Sequence, residues 1–292
     1  MSISIFAIVV TYNGSKWINK CFGSLVSSTI PVKILAIDNA SSDGTPDIIR
    51  EKFPQVEVIE TGLNLGFGKA NNIGLKRVLA EDADYAFLLN QDAWVEGDTI
   101  EKLVEVHQKH SEFGILSPVP YDGTGEKEDY LFSEYYKNKI HTKKKYLNKT
   151  FEIEFINAAG WLITIDTIEK IGGFHPKFKI HGEDTNYTNR IHCLGLHKIG
   201  ITFATKYYHD RQKRKTIEHT QKKRIYALKN KIKTSMFNPN NNSTKILLFN
   251  ILSYSKAIIT NPLSYQVNFI GCFYSFVFFI KSTGHKNIHF KL

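Results

Sequence analysis

Residues 87–95 read "FLLNQDAWV", an apolar run that closes on Asn90, Gln91 and Asp92 and returns at once to Ala93 and Trp94. Tyr85–Leu89 is apolar at every position and not at alternate ones, the pattern of a strand buried on both faces. The polar triplet after it is harder to explain. A turn needs polarity, but not two amides and then a carboxylate, so Asp92 is either a solvated turn residue or the ligand of something charged.

The flanking sequence says what kind of sheet holds this strand. Ile3–Val10, Lys33–Ile37 and Val56–Glu60 are further strand-like runs. Between them lie helical patterns. Ser15–Ser28 carries Trp17, Ile18, Cys21, Phe22 and Leu25 on one side, Thr45 caps a helix with Pro46 at its first position, Gly68–Ala80 is a longer helix, and Asp98 opens one running to His110. Strands and helices alternating through such short connections imply a mainly parallel α/β sheet with helices on both faces, whose ligands bind beyond the carboxyl ends of the strands. Residues 120–150 are charged and Tyr-rich with little periodicity and read as a variable excursion. Phe151–Ile165 returns to strand character. Gly172-Gly173-Phe174 is a turn ahead of a helix over Glu183–Leu194, followed by a strand at His197–Phe203 and a basic helix at Thr216–Met236. "NPNNNS" (238–243) is the clearest linker. Beyond it, Ala257–Ile280 contains no charged residue and is rich in Phe and Tyr.

With 292 residues, 42% of them hydrophobic, the chain can bury one large core or two. Its net charge of +10 is concentrated: Lys206–Lys233 holds 11 Lys and Arg against Asp210 and Glu218. That points to an anionic surface or ligand. Nucleic acid is disfavoured because no reading module accompanies the charge. Cys21, Cys193 and Cys272 are dispersed and odd in number, which argues against a disulfide framework or zinc cluster and fits a reducing compartment. Ile5–Val10 lacks a basic leader and runs straight into Thr-Tyr-Asn, so it reads as a first strand and not a signal peptide.

Polar groups close each strand of the first half: Thr11-Tyr12-Asn13-Gly14, Asp38-Asn39 through Asp43-Gly44, Asn64 through Gly74, and Asn90-Gln91-Asp92. On one edge of a parallel sheet these loops can converge on one ligand. The chain resembles the family 2 glycosyltransferases, inverting enzymes of GT-A fold, and within them a rhamnosyltransferase-like branch that builds bacterial surface polysaccharides. The carriers are "VVTYNG" (9–14), "IDNASSDGT" (37–45), "NLGFGKANNIG" (64–74), "LLNQDAW" (88–94), "NAAGWLI" (157–163), "HGEDTNYTNR" (181–190) and "YYHD" (207–210), in the family's order over about the first 210 residues.

The resemblance implies roles. Thr11, Tyr12 and Asn13 flank a nucleotide base, with Tyr12 offering a ring to stack on, and Asp38, beside Asn39, accepts the imide N–H of uracil or thymine. Asn64, Gly66, Lys69 and Asn71 form a glycine-rich helix start against the nucleotide, where tight packing is an equally good reason for the glycines. Asn90, Gln91 and Asp92 occupy the acidic metal motif, Asn90 and Gln91 contacting the nucleotide and Asp92 holding Mg²⁺ or Mn²⁺ that bridges a diphosphate. Here Asn90 replaces the first acid, which leaves Asp92 as a lean single carboxylate and His209 as a second ligand. Asp184 is the base that deprotonates the acceptor hydroxyl, with Glu183 as its neighbour or a helix-dipole partner. Ala159, Gly160 and Trp161 shape the sugar pocket, unless Trp161 is core.

These expectations divide the chain into a catalytic GT-A region, 1–215 (nucleotide-binding half 1–118, acceptor half 119–215), and a C-terminal helical extension, 216–292. The apolar stretch Tyr265–Ile280 is short for a bilayer span of ~20 residues. A basic and aromatic helix pair lying on anionic lipid fits better, with burial or a homo-oligomer contact as the alternative. The expected protein works at the cytoplasmic face of the inner membrane, moving sugar from a UDP- or dTDP-sugar to a lipid-linked glycan. A nucleotide-sugar-binding protein without turnover and a membrane-surface scaffold are the competing expectations.

Overall fold

The computed structural model describes residues 3–136, 149–211, 221–260, 265–282 and 289–292. In chain order the elements are β1 (Ile5–Thr11), α1 (Ile18–Val26), β2 (Lys33–Asp38), α2 (Thr45–Lys52), β3 (Glu57–Glu60), α3 (Phe67–Ala80), β4 (Tyr85–Asn90), β5 (Ala93–Val95), α4 (Thr99–Lys109), β6 (Phe113–Asp122), α5 (Tyr130–Tyr136), β7 (Thr150–Glu152), β8 (Gly160–Thr164), α6 (Ile165–Ile171), α7 (Glu183–Leu194), β9 (Lys198–His209), α8 (Gln221–Met236), α9 (Ser243–Thr260) and α10 (Tyr265–Ser282).

The strands form one sheet in the order β3-β2-β1-β4-β8-β6-β9-β5, with β7 paired to β9. β3, β2, β1 and β4 run parallel, as the alternation requires, and β8 enters antiparallel between β4 and β6. Alternation along β1 separates two cores: Phe6 and Ile8 face α3, α6 and α7, while Ile5, Ala7 and Val9 face α1, α2 and α4. The parallel strand ends therefore lie together at one edge, beside the end of β9.

Four sequence expectations need correction. Phe151–Ile165 is not one strand: β7 and β8 are separated by residues 153–159, and a short helix, α6, follows. β6 overlaps the expected excursion only at residues 120–122, and the sequence pattern assigns no element to 113–119. Pro118 and Pro120 argue against an interior strand, but β8 pairs with β6 only at Ile115 and Leu116, so neither proline faces a β8 partner. Thr45 is the first helical residue of α2, after Gly44 in the left-handed region, and its hydroxyl instead accepts from Gly14 N. Trp17 lies outside the α1 core stripe, which is Ile18, Cys21, Phe22 and Leu25. Part of the expected variable excursion and the start of the expected basic helix lie outside the described residues, as do Asn261 and Pro262.

The division at 215/216 does not coincide with a gap in packing. α8 lays Ile232 and Met236 against Phe178, in a cluster completed by Phe237 and Leu247. The last residues return to the sheet domain: Gly173 N donates to Phe290 O and Phe290 N to Ile171 O. No helix among the described residues is long and apolar enough to cross a membrane.

Candidate active site

The opening triplet resolves into three separate tasks. Gln91 is a latch: its Oε1 accepts Tyr12 N at 2.9 Å and its Nε2 donates to Tyr12 O at 3.0 Å, joining the loop after β4 to the loop after β1. Gly14 packs so tightly there that a Cβ would sit 2.2 Å from Gln91 Oε1. Asp92 takes a hydrogen bond from His209 (Nε2 to Oδ1, 3.2 Å). Ala93 and Trp94 return to apolar character because they begin β5, whose Ala93 pairs with His209 itself. The β5–β9 pairing thus sets the Asp92–His209 contact. Asn90 Oδ1 is buried with no hydrogen-bond partner.

These groups open on a cavity of about 490 Å³ whose walls include Lys16, Trp17, Asn90, Asp92, Asn157, Ala159, Glu183, Asp184, His209, Asp210 and Arg211. Arg211 Nε donates to His209 Nδ1 at 3.1 Å. With Nδ1 accepting, His209 carries its proton on Nε2 and donates to Asp92. Burial raises the Asp92 carboxyl, but the His209 hydrogen bond and the nearby Arg211 charge hold it below the ordinary aspartate value.

On the same cavity, Glu183 and Asp184 occupy the first turn of α7 after Gly182. Burial, then the neighbouring Asp184 charge, push Glu183 up to about 7. Its Oε2 is buried without a partner. The Asp184 carboxyl is also raised by burial, but it is oriented: Asn157 Nδ2 donates to Oδ2 (3.3 Å) and Thr185 N to Oδ1 (2.7 Å). A helix N-terminus favours carboxylates, so desolvation wins here over the dipole.

The expected nucleotide residues divide. Tyr12 is 46% exposed and free to stack. Asn13 takes a left-handed conformation and its Oδ1 accepts Ser42 N, binding the β1 and β2 loops together. Asp38, by contrast, is fully buried. Oδ1 accepts the hydroxyls of Thr11 (2.7 Å) and Ser41 (2.6 Å), and Oδ2 accepts Ser41 N (2.8 Å). In this conformation it organises the loop and does not present itself to a base. Asn39 likewise accepts Leu65 N, and Asn71, buried, donates to Phe67 O within its own helix. Asn64 accepts Gly66 N, while Lys69 is exposed. The glycines here are packing residues: a Cβ on Gly66 would lie 2.1 Å from Lys179 O, and one on Gly68 2.9 Å from Phe174 Cβ.

Trp161 is core, fully buried and stacked on Phe174 at 6.4 Å. Gly160 lies against the Tyr207 ring, and of this trio only Ala159 reaches the cavity. Arg190, closing "HGEDTNYTNR", is a buried brace that donates to Ile171 O and Gly173 O. Sequence reasoning missed Lys16, Trp17, Asn157, Asp210 and Arg211. Asn157 opens a quoted motif and Arg211 follows another, whereas the Trp17 indole, donating to Asp210 at 3.0 Å, has no sequence signal.

Two oxygen donors of the kind a hard divalent cation takes lie on one cavity, the Asp92 carboxylate and the unpartnered Asn90 carbonyl. Both His209 nitrogens are engaged, Nδ1 by Arg211 and Nε2 by Asp92, so His209 would ligate only by giving up one of those bonds. No group of three His, Cys, Asp or Glu with metal-binding geometry occurs among the described residues.

A family model described as glycosyl transferase family 2 matches residues 6–172. Among curated proteins, the chain is 31% identical over 127 residues to an N-acetylglucosaminyl-diphospho-decaprenol L-rhamnosyltransferase of Mycobacterium tuberculosis, covering 40% of this chain and 41% of that protein. It thus matches about two fifths of that relative's length. It is 25% identical over 206 residues to the dTDP-rhamnosyl transferase RfbF of Shigella flexneri, covering 69% and 66%. Among solved structures, S. aureus TarS 1–349 with UDP-GlcNAc superposes with a TM-score of 0.61 at 16% identity, over 96% of this chain and 81% of that one. The mannosyltransferase PcManGT from Pyrobaculum calidifontis, with GDP-Man and Mn²⁺, gives 0.59 at 16%, over 98% and 74%. At such identity these two establish the fold, which is GT-A.

Proposed function

Because the chain belongs to glycosyl transferase family 2, we propose that it moves a rhamnose- or hexose-type sugar, with inversion, from a UDP- or dTDP-sugar to a lipid-linked glycan of a bacterial cell-surface polysaccharide such as O-antigen or capsule. The observation that carries this reading is one cavity lined both by the Asp92–His209 pair and by Glu183–Asp184. Inverting transfer needs a base at the acceptor hydroxyl and stabilisation of the departing diphosphate, on one site. Asp184, oriented by Asn157 and Thr185, is the base. Glu183, buried beside it and partly protonated near neutral pH, limits the negative charge that a diphosphate must meet. Lys16 and Arg211 supply positive charge on the same walls. Mg²⁺ or Mn²⁺ held by Asp92, with His209 joining once Nε2 has released its proton, would neutralise diphosphate charge when bound.

The membrane reading draws support from two exposed apolar stripes: Leu248, Phe249 and Leu252 on α9, and Phe269, Phe273, Phe276 and Ile280 on α10. Basic α8 precedes them. They suit peripheral attachment to the cytoplasmic face of the inner membrane, apolar faces among the acyl chains and Lys and Arg at anionic headgroups.

The test is a thermal-shift panel of nucleotide sugars with and without Mn²⁺, followed by measurement of nucleoside diphosphate release with glycan acceptors. Asp184→Asn should still bind donor while transfer falls ~10²–10⁴-fold, the usual effect of losing a general base. Wild-type turnover in that variant would remove Asp184 from the mechanism. Binding without release in the wild type would favour a nucleotide-sugar-binding protein, a reading to which Asn90 in the acidic position lends weight.

A further inference from the structure

The pairing of β6 with β9 breaks once in a way the catalytic cavity does not explain. Pro118 pairs with Thr202, and the next pair is Val119 with Lys206, so residues 203–205 have no counterpart on β6. Such bulges forfeit ladder hydrogen bonds and characteristically re-aim side chains next to sites. This one is pinned: Thr205 Oγ1 lies 3.0 Å from Thr99 Oγ1, which also donates to Lys206 O, and Ala204 N donates to Thr202 Oγ1. It borders a second cavity of about 270 Å³ lined by Glu96, Tyr121, Glu128, Phe203 and Lys206.

The lining has a definite chemistry. Tyr121 and Phe203 are half-buried rings. Lys206 Nζ is held 3.3 Å from Glu96 Oε1, which also accepts the Tyr208 hydroxyl at 2.8 Å. Among the described lining residues, two carboxylates stand against one ammonium, which disfavours a phosphate or another anion. Rings that offer an apolar face, with fixed acceptors and a donor around them, suit a ligand with apolar C–H faces and many hydroxyls. Tyr208 continues the surface by stacking on Trp94 (5.8 Å, 18° between planes), whose ring lies under Lys20 Nζ at 4.5 Å. Lys206 and His209 stand three residues apart on β9, roughly 10 Å at ~3.3 Å per residue, and their side chains leave opposite faces of the strand. We propose that this bulge-built cavity is a non-catalytic oligosaccharide-binding site for a neutral glycan, which holds the acceptor chain near the catalytic cavity. The inference rests on the glycosyltransferase reading for the identity of the chain held, and not for the existence of the site.

The experiment uses the full chain and an immobilised panel of neutral oligosaccharides of two to six units, rhamnose-containing and hexose-only, with nucleotide-sugar binding measured in parallel by thermal shift. At least one glycan should be retained. Tyr121→Ala and Lys206→Ala should each weaken retention about tenfold or more, with unchanged nucleotide-sugar binding, while Asp184→Asn should retain glycan like the wild type. Failure of every glycan on a protein that binds nucleotide sugar would overturn the site and spare the proposed function. Retention insensitive to Tyr121 and Lys206 but lost in Asp184→Asn would place the glycan in the catalytic cavity and also overturn it. Glycan retention without nucleotide-sugar binding would sink the proposed function and leave the site standing.

Discussion

Glu183 is where the folded state and its chemistry pull against each other. A carboxyl raised from 4.5 to about 7 binds its proton more tightly folded than unfolded. The folded state therefore loses stability as pH rises from about 4.5 through 7, and the full penalty remains above that window. At 1.36 kcal/mol per pKa unit the shift amounts to on the order of 3 kcal/mol. Glu183→Gln should match the wild type in denaturant stability near pH 4 and exceed it at pH 8; an equal difference at both would show that the side chain does not titrate in this window. Asp92 and Asp38 separate in another way. Asp92→Ala should lose only the Mn²⁺-dependent part of nucleotide binding, with a smaller fall in melting temperature than Asp38→Ala because it removes one hydrogen bond and not three. Asp38→Ala removes the acceptor of three hydrogen bonds, charge-assisted ones contributing ~1.5–3 kcal/mol each. It should lower melting temperature and weaken binding with or without Mn²⁺, and a thermally normal Asp38→Ala would mean that its network is dispensable. The sequence marked both as loop-end acids but could not say which faces inward, because Thr11 and Ser41, the partners that turn Asp38 away from the cleft, look like ordinary turn residues.

Among the elements, α7 offers an internal control, since glycines in the left-handed region stand at both ends. Gly195 (φ 64) has nothing within 4 Å of an added Cβ, whereas a Cβ on Gly182 (φ 92) would meet Thr234 Oγ1 of α8 at 2.7 Å and the Phe178 ring at 3.0 Å. Gly195→Ala should cost only the left-handed penalty, ~1–2 kcal/mol, and leave turnover intact. Gly182→Ala should cost more and reduce kcat, because the residue that must shift precedes Glu183 and Asp184. Equal kcat in the two variants would show that the start of α7 does not set the carboxylate geometry. Elements of this kind were legible wherever one pattern ran long enough. β1, β2 and β4 are continuous apolar runs, and α7 was read with its boundaries as observed. β5 was not, because three residues carry no period and owe their strand conformation to β9. β6 hid behind its prolines, tolerated where β8 has ended.

At the scale of the whole molecule, the C-terminal helices have two kinds of apolar surface, and truncation alone would confuse them. Leu247, Tyr274 and Phe278 pack toward Ile232, Met236 and Phe237 and complete a core that reaches Phe178 near the start of α7. Ending the chain after Asn238 would uncover that cluster, so the truncated protein should be less stable or aggregate whether or not the helices touch lipid. Phe249 and Leu252 are 69% and 70% exposed and contribute nothing to that core. Phe249→Ser with Leu252→Ser should leave the melting temperature and nucleotide binding unchanged while retention on vesicles containing anionic lipid falls. Salt should weaken wild-type retention by screening the exposed Lys223, Arg224 and Lys231. It should not abolish retention, since inserted aromatic surface is not held by charge. Vesicle retention unaffected by the double substitution would place the membrane contact elsewhere. A wild-type dimer that the same substitution dissolves would show instead that the stripes meet a second copy of the chain.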